Sequence, residues 1–402
     1  MAHKAAHRFS PKRLSPVAIR AVVVIAAVGL IGFCLMLTSL AATYATSFEA
    51  ENGTLGSSAT QVTATGTSGG KAVRFQASTG STSCTVSSKL VNSCRPWLGA
   101  AVNDNVSFAS DTKSQILGHE SLIGRQLDIA HTYHTAGSNS LSATDTYFAK
   151  RPNTILVTNW KPSNDWGDAG GGNASVNAGI DQMANSIKSL GSTKIMLVLF
   201  HEPENDVSSE PSCPNVSYKG NLGTPTEYRN MWANVQNRFD AAGVTNVVWV
   251  MNYMGFTNWN CLIKPLWPGN SRVDWVAWDP YSPSNEKTWD EAISDYYNFL
   301  SSSSDSTHDF NSKPWLLGEF GIGHGNTTTA DQAHTYKFYD DAKASLAANR
   351  YPRLKGYLDF DVQGVHDTQI AYVTTTHVYD PVELQHYKAF AQDPRFTDAF
   401  YE

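Results

Sequence analysis

The chain has 402 residues, only 16% of them charged and 11% aromatic, with Ser, Thr, Asn and Gly common between apolar runs. This composition excludes a disordered or fibrous protein and fits an exported globular one. The formal charge is −6, and because the first 47 residues hold five Lys/Arg and no acid, the remainder carries −11. An acidic body without a basic, aromatic-interleaved stripe argues against a nucleic-acid partner.

The N-terminus opens on a basic flank, residues 1–20, followed by the uncharged run AVVVIAAVGLIGFCLMLTSL (Ala21–Leu40). Twenty such residues span a bilayer, and the flanking positive charge places the N-terminus inside. A transmembrane or signal-anchor helix is therefore expected over residues 21–43, with everything after it at the cell surface or secreted. Small residues at Thr43-Tyr44-Ala45 leave cleavage after Ala45 as the alternative to a retained anchor. Cys34 lies in this segment, and Cys84, Cys94, Cys213 and Cys261 lie beyond it. An even number in an oxidising compartment reads as two disulfides. Cys84–Cys94 with Cys213–Cys261 is the natural pairing among three possible ones.

Residues 44–94 read as a short β-rich stalk or linker. Within them Phe48–Phe75 alternates small and β-branched residues with Gly-Gly punctuation, which predicts two or three short strands. The Glu-Ala-Glu at its start resembles the opening of carbohydrate-binding modules of families 6 and 35, for about thirty residues only.

From residue 95 to 402 the pattern changes to one domain of alternating units. Eight apolar strands are predicted: Pro96–Val102, Leu127–Tyr133, Thr154–Trp160, Lys194–Phe200, Asn246–Asn252, Val273–Asp279, Lys313–Phe320 and Leu354–Phe360. Between them Ile180, Met183, Ala184, Ile187 and Leu190 fall at helical spacing, and further helices are predicted at 226–242 and 331–349. Eight strands with intervening helices indicate a (β/α)8 barrel of the α/β class, whose chemistry lies beyond the C-terminal ends of its strands.

Polar residues cluster at those ends: Asn159-Trp160, His201-Glu202, Asn252-Tyr253, Asp279-Pro280-Tyr281, Glu319, and Asp359 with Asp361. Glu202 and Glu319 stand on strands four and seven, facing one cavity. Two carboxyls across a cleft walled by Trp and Tyr are the equipment of glycoside hydrolysis. No Cys-x-x-Cys or His-x-x-x-His spacing points to a metal, and the reaction calls for no cofactor.

The stretches LFHEPEND, NVVWVMN, WPG, VDWVAWDPYS and KPWLLGEFG, in this order, resemble glycoside hydrolase family 26 of the retaining clan A. The His before the first Glu is what points to this family. The resemblance implies an endo-acting β-glycanase, chiefly for β-1,4-mannan, with β-1,3-xylan and mixed-linkage glucan as the other family substrates. It implies Glu202 as general acid/base and Glu319 as nucleophile. His201 would bind near the acid/base, Tyr281 would orient the nucleophile, and Trp160 would form a sugar platform. His131, Asn252 and Phe360 would complete the substrate-binding set, with His134 a weaker candidate. A polysaccharide or oligosaccharide partner and a monomeric catalytic domain follow from the same resemblance. The chain departs from the family pattern at Val207, where mannanases often carry an aromatic residue, and at Phe360, where they often carry Trp.

Overall fold

The computed structural model describes residues 59–63, 71–75, 84–103, 111–283, 285–323, 329–362, 368–370, 372–373 and 378–397. The apolar run Ala21–Leu40, and with it the expected membrane segment, lies outside the described residues. Among the described residues no helix is long and apolar enough to cross a membrane. The chain divides into two compact units, Met1–Thr82 and Ser83–Glu402. In the first, β1 (Ala59–Thr63) and β2 (Lys71–Phe75) form an antiparallel hairpin in which Ala59 opposes Phe75.

In the second unit eight parallel strands close into a barrel. They are β3 (Trp97–Asn103), β4 (Ile129–His134), β5 (Ile155–Trp160), β6 (Ile195–Leu199), β7 (Val247–Tyr253), β8 (Trp275–Trp278), β10 (Trp315–Ile322) and β11 (Leu354–Val362). Each pairs with the next, and β11 returns to β3, so the barrel leaves no open edge. All eight strands expected from the sequence are present. A two-residue strand, β9 (Tyr281–Ser282), adds to the far end of β10.

Helices α1 (Thr112–Ile123), α2 (Ala143–Lys150), α3 (Ala174–Lys188), α4 (Pro225–Ala241), α6 (Trp289–Ser303) and α7 (Thr329–Ala347) follow strands β3, β4, β5, β6, β8 and β10 in turn, with the short α5 (Ile263–Leu266) after β7 and α8 (Pro381–Ala391) after β11. Several begin at side-chain caps that satisfy otherwise unpaired N–H groups. Thr224 with Glu227 and Thr288 with Glu291 form reciprocal capping boxes on α4 and α6.

Strand side chains alternate between two apolar cores. Trp97, Ile129, Val157, Met196, Val198, Val248, Val250, Trp275, Leu316 and Leu358 fill the barrel interior. Their neighbours, such as Leu98, Leu156, Leu197, Met251 and Leu317, pack outward among the helices.

The barrel unit begins at Ser83, earlier than the boundary near residue 95 expected from composition. The physical reason is a plug. Leu90 and Val91 pack on the barrel interior, while the carbonyls of Leu90 and Lys89 accept from the indole N–H of Trp97 (2.7 Å) and Trp275 (2.6 Å). Disulfide Cys84–Cys94 closes this segment across its base. It seals the N-terminal end of the barrel, leaving the C-terminal end as the open mouth.

Candidate active site

The inward alternation that fills the barrel continues into its mouth with different chemistry. On β4, Ile129 belongs to the interior core, and the next two inward positions are His131 and Tyr133. On β5, Val157 is followed by Asn159; on β7, Val250 by Asn252; on β8, Ala277 by Asp279; on β11, Leu358 by Phe360. Strand β10 breaks its register between Leu317 and Phe320, which brings Glu319 to the mouth beside Gly318. A Cβ on Gly318 would lie 1.9 Å from Asn252 Oδ1 and 2.6 Å from Asp279 Oδ1, so only glycine fits.

Strand β6 reaches the site by a strained turn. Phe200 (φ 60°) and Glu202 (φ 49°, ψ 48°) both take the left-handed region that non-glycine residues avoid. Each such residue costs on the order of 1–3 kcal/mol and persists where the surroundings determine it. Phe200 is thrown outward against Trp166 and Tyr228, and Glu202 is anchored by its N–H donating to the Asn252 carbonyl (3.0 Å).

Glu319 is buried and held at both oxygens. The Tyr133 hydroxyl donates to Oε1 (2.7 Å) and the Tyr281 hydroxyl to Oε2 (2.5 Å). Phe360 stands edge-on to both rings, 6.4 Å from Tyr133 and 5.8 Å from Tyr281. Burial raises the Glu319 pKa, while the two hydroxyls act to lower it.

Glu202 is half-buried and pushed up to about 8, first by burial, then by the charges of Glu319 and Glu204. Its Oε2 accepts a long contact from Asn205 Nδ2 (3.4 Å), and a side-chain hydrogen bond with Asp279 acts to lower its pKa. The two carboxyls thus share one field but differ in donors, and burial with like charge favours the protonated form of Glu202.

A third carboxyl, Asp279, is buried between them. Its Oδ2 accepts from Asn252 Nδ2 at 2.6 Å, and burial with the charges of Glu319 and Glu202 pushes its pKa well above the usual carboxylate range. The histidines are kept neutral. Burial lowers His131 to about 4, with Nε2 2.9 Å from Asn159 Oδ1. Burial, then Lys161 and His131, lower His201 to about 3, and its ring lies edge-on to Tyr133 at 5.7 Å.

The loops after β6 and β7 are tied together. Buried Glu204 accepts from Met254 N–H at both oxygens (3.0 and 3.2 Å), and Cys213–Cys261 bridges the two loops. Both expected disulfides are present.

The structure therefore gathers Glu202, Glu319, His201, Tyr281, His131, Asn252 and Phe360 around one mouth. Two candidates fall elsewhere. Trp160 follows inward Asn159, so alternation turns it outward; it is fully buried, 6.2 Å from Phe239 of α4, and cannot serve as a sugar platform. His134 pairs with Asp145 (2.7 Å) in the network that caps α2. Val207 is fully buried as well. Sequence reasoning missed Tyr133, whose signal was its spacing of two from His131 and four from Ile129.

No protein-family model matches the chain. A stretch of 222 residues, 52% of this chain, is 25% identical to Endoglucanase H of Acetivibrio thermocellus and spans 23% of that protein's length. The catalytic domain of a GH26 endo-β-1,4-mannanase from Bacillus sp. JAMB-750 superposes over 75% of this chain and 86% of its own, with TM-score 0.51 and 14% identity. GH26C from a Muricauda species superposes over 77% of this chain and 88% of its own, with TM-score 0.51 and 15% identity. The barrel has the fold of the family 26 glycoside hydrolases. Sequence identity at this level carries the fold and leaves the chemistry to be argued from the site.

Proposed function

We propose that the protein is a glycoside hydrolase of family 26 type, an endo-acting retaining β-glycanase working by double displacement. The observation that carries this reading is Glu319, each oxygen held by a tyrosine hydroxyl, sharing a barrel mouth with a Glu202 that burial and like charge push up to about 8. Glu319 attacks the anomeric carbon while Glu202 gives its proton to the leaving oxygen, forming a glycosyl-enzyme. Glu202, now ionised, takes a proton from water, which attacks the same carbon and releases Glu319. The two hydroxyls hold the nucleophile at one angle. Neutral His131 and His201, Asn252 and Phe360 shape the sugar site.

β-1,4-Mannan is the proposed substrate, supported by the sequence resemblance and by the activity named for the Bacillus neighbour. The two disulfides and the basic-apolar N-terminus support a domain displayed outside the cytoplasm on a membrane segment, or released after Ala45. The test is release of reducing sugar from β-mannan, β-1,3-xylan and mixed-linkage glucan, with the product anomer followed by NMR. Retained configuration from β-mannan is expected; an inverted product would overturn the mechanism, and turnover of xylan or glucan alone would overturn the substrate. Binding without any product would make the mouth a sugar-binding site.

A further inference from the structure

The two hydroxyls that hold Glu319 are mounted differently. Tyr133 belongs to β4, a barrel strand paired with β3 on one side and β5 on the other. Tyr281 belongs to β9, two residues at the edge of the sheet, whose strand partners among the described residues are Gly321 and Ile322 of β10. So short an edge strand makes few ladder bonds, and the aim of the Tyr281 hydroxyl at Oε2 (2.5 Å) depends on what braces the chain after it.

That chain folds back on Ser282, which is fully buried. The Ser282 carbonyl accepts from the N–H of Asn285 (3.1 Å) and of Gly323 (3.0 Å), and its Oγ accepts from the N–H of Lys287 (2.8 Å). Asn285, itself buried, takes the left-handed region (φ 54°) that a non-glycine residue avoids unless its surroundings hold it there. A hold on it comes from α7. Nδ1 of half-buried His334 lies 2.6 Å from the Asn285 carbonyl oxygen and 2.9 Å from its Oδ1. A carbonyl oxygen can only accept, so Nδ1 carries the hydrogen. One turn further along α7, Phe338 is buried against Trp289 (5.3 Å), which packs in turn on Phe320 (5.4 Å), the neighbour of Glu319. The brace and the nucleophile are therefore set in one packed frame.

We infer that His334 is a positioning residue for Glu319, acting through Asn285, Ser282 and Tyr281. The inference rests on the reading of Glu319 as nucleophile. Without the His334 bonds the turn at Asn285 relaxes, and Tyr281 holds Oε2 for only part of the time. Tyr133 alone then orients the carboxylate, which spends less time aligned on the anomeric carbon while the sugar still binds. The loss falls on kcat and spares KM.

The test is a double-mutant cycle on the purified full chain, read as kcat and KM on the glycan it hydrolyses. His334→Phe keeps a ring and deletes the donor. It should lower kcat about five- to tenfold, part of what losing a bond to a charged acceptor gives, with KM within about twofold. His334→Asn, which returns an N–H donor, should recover most of the loss. In a Tyr281→Phe background, His334→Phe should cost less than about twofold. If His334→Phe lowers Tm by more than about 5 °C, Asn285→Ala repeats the cycle from the other end of the same bonds. Hydrogen exchange is a second readout that needs no turnover. The Asn285 and Lys287 amides, both bonded to Ser282, should exchange at least about fivefold faster in His334→Phe, and those of β4 at the wild-type rate. Unchanged exchange at Asn285 and Lys287, or kcat losses that multiply with Tyr281→Phe, would overturn the role of His334. A wild type that releases no sugar from any glycan would instead overturn the nucleophile reading, and exchange alone would then decide whether His334 holds the Tyr281 loop.

Discussion

The two ends of the barrel interior use the same strands, the same inward alternation and neighbouring residues, yet differ completely in chemistry. At the sealed end Trp97, Ile129, Val157, Val248, Val250, Trp275, Leu316 and Leu358 are packed hydrocarbon. Two residues further along, the same columns present His131, Asn159, Asn252, Asp279 and Phe360, with Glu319 delivered by a register break. The lower layer shows what a barrel needs in order to stand. The upper layer bears the cost of burying three carboxyls close together, which no folding requirement explains. Apolar packing below offsets that cost and holds the upper groups at fixed positions.

The strongest way to break this contrast is at the nucleophile. Glu319→Ala should lower turnover on the substrate by about 10⁴-fold or more, since no other group at the mouth can form the glycosyl-enzyme. Its melting temperature should stay level or rise, because a buried like charge is removed. Azide should restore turnover with inverted product. Near-normal hydrolysis by this variant, measured as reducing sugar released, would sink the proposed mechanism.

Trp160 tests the boundary between the layers from the other side. As an outward core residue it should behave structurally. Trp160→Ala should cost about 3–5 kcal/mol of stability by denaturant unfolding. Turnover per folded molecule should change little. A raised KM with unchanged stability would instead make it the sugar platform that its place at a strand end suggests.

The tyrosine clamp carries a smaller term. Tyr133→Phe removes one hydroxyl from Glu319 Oε1, a hydrogen bond to a charged acceptor worth about 1.5–3 kcal/mol. A fall in kcat of about 10–100-fold is expected, with the pH at which activity rises on the acid side moving upward because the carboxylate loses a donor. If kcat and that limb both stay put, Tyr133 is only a wall.

Much of this was legible before any coordinates. The eight strands are long apolar runs with polar ends, and Glu202 and Glu319 stand at two of those ends, where a buried carboxylate has no structural motive. What was not legible follows from side-chain parity. Position at a strand end does not by itself give the face a residue takes: Trp160, one past inward Asn159, points outward, and Tyr133, four past Ile129, points inward. The Gly318–Asn252–Asp279 contact could not be seen, because the bulge that turns Glu319 inward depends on pairing with β11. The plug was missed because SSKLVNS reads as loop; its order comes from Trp97 and Trp275, distant in sequence.

The finest test of the contrast concerns the proton on Glu202. Activity should fall on the alkaline side near pH 8, where the acid loses the proton that the leaving group needs. Burial sets most of that value, then the charge of Glu319, then that of Glu204. Glu204 is itself pushed up to about 8 by burial, so the two titrate together and the limb belongs to the pair. Glu204→Gln keeps an acceptor for Met254 N–H while deleting the charge. Removing a like charge favours the ionised form of Glu202, so its pKa falls and the alkaline limb moves to lower pH, by less than about one unit. The pH profile of kcat/KM on a substrate with a poor leaving group reads the shift. With a good leaving group, which needs little protonation, the limb should flatten in both proteins. A limb that moves upward, or that ignores the leaving group, would mean that the alkaline titration is not that of Glu202.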